Sequence, residues 1–260
     1  MTRLMPCKEA GRIKIMKRML YVLLVFALAV SPVFAGQSKL HKKAEAAALV
    51  LYGESASSQV SAKALCTVEA YEKVSDGYSL LTEGHCVDPD ESGAPDDVKY
   101  FVAPLGATSE KDGDAVEVVK WQNDGDMDAA ELHVKTSKHY EVLQLAYQNP
   151  QVEEKVFYVG YPKMFNRVIL EGQIASEVGT VDVPECEGVC KGRIVVQIGG
   201  GPGASGSAII SEKSGQIVGL LEGHMYENGV MMVPAKAIRS FLEKPEVKHE
   251  RKIQQEEEPK

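Results

Sequence analysis

The stretch GPGASGSAII, residues Gly201–Ile210, sets Ser205 between glycines directly ahead of an apolar strand. Small neighbours let a substrate backbone approach the Ser205 hydroxyl, and glycine permits a tight turn that aims two backbone N–H groups at one point. Those donors would be the amides of Gly203 and Ser205. A flexible loop or a phosphate cradle is the alternative, but the Gly-Lys-Ser/Thr ending of a P-loop is missing. The stretch therefore favours a nucleophilic serine in a turn before a strand.

The rest of the body has the pattern of an all-β protein. Between Ser61 and Val233, short apolar or alternating segments recur and are separated by Gly, Pro, Asp and Asn. Many strands at short intervals predict a sandwich or barrels. Ser137–Glu154 holds no strong strand and divides the body into halves of roughly ninety residues each, a size that suits one barrel apiece.

These patterns also predict the domain boundaries. After Pro234, the side chains of Ile238, Phe241 and Leu242 share one face of a closing helix that docks on the second barrel. The predicted parts are a signal peptide (1–35), an N-terminal lead-in (36–60), a first barrel (61–140), a crossing linker (141–154), a second barrel (155–233), a C-terminal helix (234–244) and a charged, disordered tail (245–260).

The N-terminus has the layout of a signal peptide. Basic residues precede the apolar segment Leu20–Val30, and small residues follow at Val33 and Ala35, after which we place the cleavage. An uncleaved anchor is the alternative, because Met19–Ala35 nearly reaches the minimum membrane span. Loss of this leader changes the formal charge from −8 to −13, since it carries six basic residues and one acidic residue. We expect a secreted or periplasmic protein that leaves the membrane after cleavage and binds no nucleic acid.

Four cysteines remain after the leader, and an even count in an exported chain indicates disulfides. Three pairings are possible, and the spacing favours Cys66–Cys86 with Cys186–Cys190. A zinc site is the alternative for the second pair, but no matching Cys or His pair lies near it. We predict no metal and no cofactor.

A nucleophilic serine needs a base, because its hydroxyl is a weak nucleophile at neutral pH. The segment YSLLTEGHC places His85 at the end of an apolar strand, next to Cys86. A carboxylate must then hold the imidazole in the right tautomer, and the candidates are Asp124, Asp126 and Asp128. Strand alternation favours Asp128, because its face then continues with three apolar residues and no second aspartate.

Three segments, LTEGHC, DAAELHV and GASGS, resemble the histidine, aspartate and serine segments of trypsin-like serine peptidases, in the same chain order. The resemblance is closest to the bacterial HtrA-type and glutamyl-endopeptidase-like branches, without a PDZ domain. It implies an all-β, chymotrypsin-like fold of two six-stranded antiparallel barrels with a C-terminal helix. It also implies an exported serine endopeptidase that works through an acyl-enzyme, with catalytic residues His85, Asp128 and Ser205. The family commonly braces its catalytic histidine with a disulfide, as Cys66–Cys86 would here.

Three positions depart from the family pattern. Ala204 stands where digestive relatives keep an aspartate, so their zymogen switch cannot operate. Glu83 occupies a place that is usually small, and we expect it to point outward. Glu131 interrupts the apolar segment after Asp128, with an alternate face that meets solvent. The alternative function is therefore a weak or inactive trypsin-like fold used as a binding or surface module. An esterase is less favoured, because the serine elbow and residue order of α/β-hydrolases are absent.

The sequence contains little information about substrate preference. Alignment places no buried acid in the specificity pocket, so we expect a protein or peptide substrate with no preference for Lys or Arg. His224 is a candidate for recognising an acidic side chain, with an ordinary loop histidine as the alternative. We expect a monomer. The pocket would be lined near Gly199, Gly223, His224, Gly229 and Val230.

Overall fold

The structure is a computed structural model that describes residues 39–55, 63–88, 98–104, 110–124, 126–162, 166–183, 188–226 and 229–245. The predicted leader, its cleavage site after Ala35, and all but the first residue of the predicted tail lie outside the described residues. The chain forms two compact units, residues 1–42 and 43–260, and the fold below is that of the second unit. Among the described residues, no helix is both long and apolar enough to cross a bilayer.

Six antiparallel strands close the first barrel in the order β1-β2-β3-β6-β5-β4. Alternate side chains along each strand point inward, as the period of two requires. Leu51, Val68, Leu80 and Leu132 are all fully buried in this core. The strands are β1 (Ala48–Ser55), β2 (Lys63–Val74), β3 (Gly77–Thr82), β4 (Val98–Ala103), β5 (Asp114–Asp124) and β6 (Met127–Lys135).

Seven strands form the second sheet, in the order β13-β12-β11-β7-β8-β10-β9. A further pairing of β13 with β10 joins six of them into a ring, and β9 is added to the outside of β10. The predicted all-β fold class is confirmed, with one strand more than the six predicted here. The strands are β7 (Lys155–Gly160), β8 (Val168–Ile174), β9 (Gly179–Val183), β10 (Gly188–Gln197), β11 (Ala208–Ser211), β12 (Ile217–Tyr226) and β13 (Gly229–Pro234).

The C-terminal helix, Ala235–Glu243, follows β13 directly. It buries Ala235, Ile238 and Phe241 and contacts β12, β13 and also β6 of the first barrel. The helix therefore packs on both barrels, whereas the sequence pattern predicted contact with the second only.

The predicted start of the first barrel is wrong. Strand β1 begins at Ala48, inside the predicted lead-in of residues 36–60, and it pairs with both β2 and β4. The apolar residues from Ala48 to Tyr52 follow an Ala- and Lys-rich segment whose residues 39–47 are helical, so their strand character was hidden by that composition. These residues are buried, and without them the barrel would not close.

Candidate active site

His85 lies in a single 3₁₀ turn, Gly84–Cys86, immediately after β3. The disulfide between Cys66 and Cys86 ties this turn to β2, as predicted. Gly84 packs against the wall of the barrel, where a Cβ atom would lie 2.1 Å from the backbone oxygen of Gln122. Only glycine fits that approach. The disulfide of Cys86 on one side and the close packing of Gly84 on the other thus fix the position of His85.

Asp128 contacts His85 through both carboxylate oxygens. Its Oδ2 lies 2.6 Å from the ring Nδ1, and its Oδ1 accepts a hydrogen bond of 2.9 Å from the backbone N–H of His85. Asp128 is 4% exposed, so this charge-assisted contact is shielded from water. A proton held on Nδ1 by the carboxylate leaves Nε2 as the basic nitrogen.

The other two candidate aspartates have different hydrogen-bond partners. Asp124 accepts hydrogen bonds from the amides of Asp126 and Met127 and shapes the turn between β5 and β6. Asp126 is exposed, and its backbone oxygen accepts a hydrogen bond from Arg193. Strand alternation thus selected the one aspartate of the three that meets the imidazole.

Ser205 lies in the turn before β11, between two glycines with positive φ, Gly203 at 90° and Gly206 at 81°. Its hydroxyl donates to the backbone oxygen of Glu222 at 3.3 Å. The amide of Ala204 is used within the turn, donating to Gly201. In the described part of the chain, the amides of Gly203 and Ser205 make no hydrogen bond, as the predicted oxyanion donors require.

The serine turn is hydrogen-bonded to the first barrel through Thr67 of β2. The amide of Thr67 donates to the Ser205 oxygen at 2.9 Å, and its hydroxyl donates to the Gly203 oxygen at 3.0 Å. A Cβ on Gly206 would lie 2.2 Å from the Thr67 oxygen. The turn that carries Ser205 is therefore attached to the barrel that carries His85.

Glu83 does not point outward as predicted, because its side chain is fully buried. The side chain instead faces Asp128 of β6 and the charged residues Glu222 and Arg193 of the second sheet. One carboxyl oxygen of Glu83 lies within 4.8 Å of donor atoms of both His85 and Asp128. Burial, followed by the charges of Asp128 and Glu222, holds the pKa of Glu83 well above its usual range, against an opposing effect of Arg193.

A buried ion pair between Arg193 of β10 and Glu222 of β12 lies next to this carboxyl group. Arg193 is 1% exposed, and its guanidinium donates to both carboxylate oxygens of Glu222, with Nη2 to Oε1 at 2.9 Å. It also donates to the backbone oxygen of Asp126 in the first barrel at 3.0 Å. This pair was not predicted from the sequence, because nothing local to either residue indicates that two non-consecutive strands bring them together.

Glu131 lies on the face of β6 opposite Asp128, where its side chain is partly buried and 16% exposed. Its carboxylate accepts a hydrogen bond from the Tyr71 hydroxyl at 2.7 Å and lies 3.6 Å from Lys120 Nζ. These two partners balance the charge that Glu131 brings into the apolar segment. Neither takes part in the contact between His85 and Asp128.

Four residues of the predicted specificity pocket lie in the second sheet near one another. Val230 is opposite both His224 of β12 and Val196 of β10, and Gly223 is opposite Met231. Gly229 begins β13, and the backbone oxygen of Gly199 accepts a hydrogen bond from Tyr158. The side chain of His224 lies outside the described residues, so the pocket remains a prediction.

The second predicted disulfide is half described. Cys190 is buried and disulfide-bonded, whereas Cys186 lies outside the described residues. Glu83, His85 and Asp128 also have the donor atoms and proximity of a metal site. A cation there would have to displace the proton between His85 and Asp128, so these residues suit proton transfer better.

Several solved peptidase structures have a similar fold. The active form of the Rv3671c protease from M. tuberculosis is 17% identical, with 78% of this chain and 82% of that chain covered and a TM-score of 0.60. Deg5 is 15% identical over 79% of this chain and 91% of that chain, with a TM-score of 0.59. The serine endoprotease from Yersinia pestis is 16% identical over 80% and 65%, with a TM-score of 0.58.

At these identities the structural likeness establishes the fold alone. No curated protein matches the chain in sequence. Residues 72–220, more than half of the chain, match the family model described as the trypsin-like peptidase domain. That matched range includes His85, Asp128 and Ser205 in the order that the family uses. By its fold and by this match, the chain belongs to the trypsin-like peptidase family.

Proposed function

We propose that this protein is an exported serine endopeptidase that cleaves peptide bonds through an acyl-enzyme. Ser205 is the nucleophile, His85 the general base and Asp128 the residue that orients the imidazole. The observation that carries the proposal is the 2.6 Å contact between His85 Nδ1 and the shielded carboxylate of Asp128. The bonds from Thr67 to the serine turn support it, because they attach the nucleophile to the barrel that supplies the base.

In the first half of the reaction, Ser205 Oγ bonds to the carbonyl carbon of the substrate while its proton moves to His85 Nε2. The hydroxyl must first leave the backbone oxygen of Glu222, to which it donates in the resting protein. Negative charge then develops on the carbonyl oxygen, which the amides of Gly203 and Ser205 stabilise. Collapse breaks the C–N bond, and the amine leaves with the proton from Nε2.

In the second half, water replaces the amine. His85 takes a proton from the water as its oxygen bonds to the acyl carbon, and the proton returns to Ser205 as the ester bond breaks. Asp128 stabilises the imidazolium in both halves without itself taking the proton. Each step uses groups of this chain and one water molecule.

A non-catalytic binding module is the second candidate. The resting hydrogen bond of Ser205 to Glu222 and the buried acid beside Asp128 favour it, since both are departures from a plain triad. A module of this kind would keep the fold and bind peptides without forming an acyl-enzyme.

A fluorophosphonate probe separates the two candidates, because it labels only an activated serine. Ser205→Ala is the test variant and Ser207→Ala the matched control from the same turn. The Ser207 hydroxyl is buried and has no hydrogen-bond partner among the described residues, so its removal leaves the turn intact. We expect labelling of the wild type and of Ser207→Ala, and none of Ser205→Ala. An unlabelled wild type would support the binding module, and casein cleavage by the labelled forms would support a peptidase over an esterase.

Export is tested on the intact chain in expressing cells. The disulfide Cys66–Cys86 supports an oxidising compartment. We expect the exported protein to begin at Gly36, as determined by its mass. A chain of full mass in the membrane fraction would identify the segment Met19–Ala35 as an uncleaved anchor instead.

A further inference from the structure

Glu83 lies behind the proposed catalytic residues and takes no part in the mechanism above. Its side chain is fully buried, and no described group donates a hydrogen bond to its carboxyl oxygens, whose neighbour for hydrogen bonding is Asp128, itself an acceptor. A buried carboxylate without partners is costly, because the charge loses its hydration and gains nothing in return. The protein therefore has a reason to keep this group neutral.

Groups from four different elements determine the charge around Glu83. Asp128 of β6, Glu222 of β12 and Arg193 of β10 face it, together with His85 of the 3₁₀ turn. The guanidinium of Arg193 is already paired with Glu222 by two hydrogen bonds. Asp128 is engaged by His85 through both of its oxygens. No positive charge in this set remains to compensate an ionised Glu83.

We propose that Glu83 carries a proton and acts as a positioning residue whose O–H group donates to the Asp128 carboxylate. This rests on the proposed function. A carboxylate has about four lone-pair sites, so Asp128 can accept this bond in addition to the two from His85. The pair of acids then bears one negative charge, and the imidazole faces one anion instead of two. Burial and the neighbouring carboxylates raise the pKa of Glu83, in agreement with this protonated state.

The position of the proton matters for the base. A second negative charge within 4.8 Å of the imidazole would stabilise its protonated form. At an effective dielectric constant of about 20, one such charge moves the acid limb of the pH–rate profile upward by roughly two pH units. A base that stays protonated over a wider pH range is less able to take the proton of Ser205. A neutral Glu83 avoids this and still holds Asp128 in place.

The first test measures fluorophosphonate labelling rates against pH for the wild type, Glu83→Gln and Glu83→Leu. Glutamine is neutral and keeps a donor, so we expect a rate within about threefold of the wild type and an unchanged acid limb. Leucine keeps the bulk and loses the donor, so we expect a rate at least about tenfold lower. An acid limb that moves down by roughly two units in Glu83→Gln would show that Glu83 is ionised in the wild type. Full labelling of Glu83→Leu would show that it only fills space. Either result overturns the proposal.

The second test is independent of activity. The infrared difference spectrum between the wild type and Glu83→Gln at pH 7 should contain the C=O stretching band of a protonated carboxylic acid. Loss of ionised carboxylate bands instead would refute the proposal. Glu69→Gln is the matched control, because Glu69 of β2 is equally buried and its removal should leave labelling unchanged. An unlabelled wild type would refute the proposed function, whereas the infrared spectrum would still show whether Glu83 is protonated.

Discussion

Asp128→Asn is the most informative single change, because it keeps the shape of the side chain and alters only its hydrogen-bonding character. Asn can still offer an oxygen to the backbone N–H of His85, which donates to Asp128 at 2.9 Å. Its NH₂ group then lies where the carboxylate now meets the ring Nδ1, at 2.6 Å. Since that group donates, Nδ1 must become the acceptor and the proton moves to Nε2. The imidazole can then no longer accept the proton of Ser205.

The size of the rate loss in Asp128→Asn follows from the change in the tautomer of His85. Losing the base while keeping the oxyanion donors typically lowers the acylation rate by about 10⁴-fold. That factor corresponds to about 5.4 kcal/mol of transition-state free energy. The fold should be retained, because Asn has nearly the same volume as Asp and therefore fits the same buried site.

The second-order rate of fluorophosphonate labelling is the assay, with circular dichroism to verify folding. Asp126→Asn is the matched control, since Asp126 is exposed and only its backbone groups take part in described hydrogen bonds. We expect the control to label within about twofold of the wild type. The assignment of Asp128 would be refuted if Asp128→Asn labelled within tenfold of the wild type, or if Asp126→Asn alone abolished labelling.

Three further predictions concern stability. Replacing Cys66 and Cys86 by alanine should cost about 3 kcal/mol in urea unfolding, because the bridge spans 20 residues and restricts the unfolded chain. Gly206→Ala should cost about 3 kcal/mol or more, since its φ is 81° and a Cβ would lie 2.2 Å from the Thr67 oxygen. Burial raises the pKa of Glu69 well above its usual value, so the folded protein binds this proton more tightly than the unfolded chain. The free energy of unfolding of the wild type should therefore fall as the pH rises above the usual pKa of a glutamate. Relative to the wild type, the free energy of unfolding of Glu69→Gln should rise by about 1.4 kcal/mol per pH unit, until the pH reaches the pKa of Glu69 in the folded protein.

Each of these has its own control or contrary result. An unchanged urea midpoint in the double cysteine variant would mean that the disulfide does not restrain the unfolded state. Gly201→Ala is the control for Gly206→Ala, because its Cβ would meet nothing within 4 Å, and equal stability of the two variants would contradict the steric argument. For Glu69, parallel pH curves of variant and wild type would show an ordinary, ionised carboxylate.

The fold was largely predictable because its signals are local. Short alternating segments predict barrel strands wherever one face is buried, and Ile238 and Phe241 mark the buried face of the C-terminal helix. Strand β1 escaped detection because Ala48–Tyr52 continues an alanine-rich segment and is buried on both faces, so no alternation is visible. Strand β9 was missed because Gly179–Val183 is short and pairs only with β10.

In the site, too, the residues with local sequence signals were predictable and the others were not. His85 and Ser205 lie in motifs a few residues long, and Asp128 follows from the period of a regular strand. Glu83 was expected to point outward, but the charged residues that it faces, Asp128, Glu222 and Arg193, come from strands distant in sequence. Its surroundings could not be predicted, since Arg193 and Glu222 meet only through the pairing of strands distant in sequence.

On the proposed function, the bonds from Thr67 to the serine turn also determine when a newly made chain can become an active peptidase. Thr67 and Gly203 are 136 residues apart, so a ribosome has to complete most of the second barrel before their bond can form. Until then the serine turn has only its bonds within the second barrel, such as that from the Gly206 amide to the Leu221 oxygen, and the proposed histidine and aspartate have no nucleophile. Ala204 offers no carboxylate to pair with a newly cut N-terminus. On the proposed function, docking of the two barrels is therefore the step that completes the active site, and docking only after the proposed export would keep an active peptidase out of the cytoplasm.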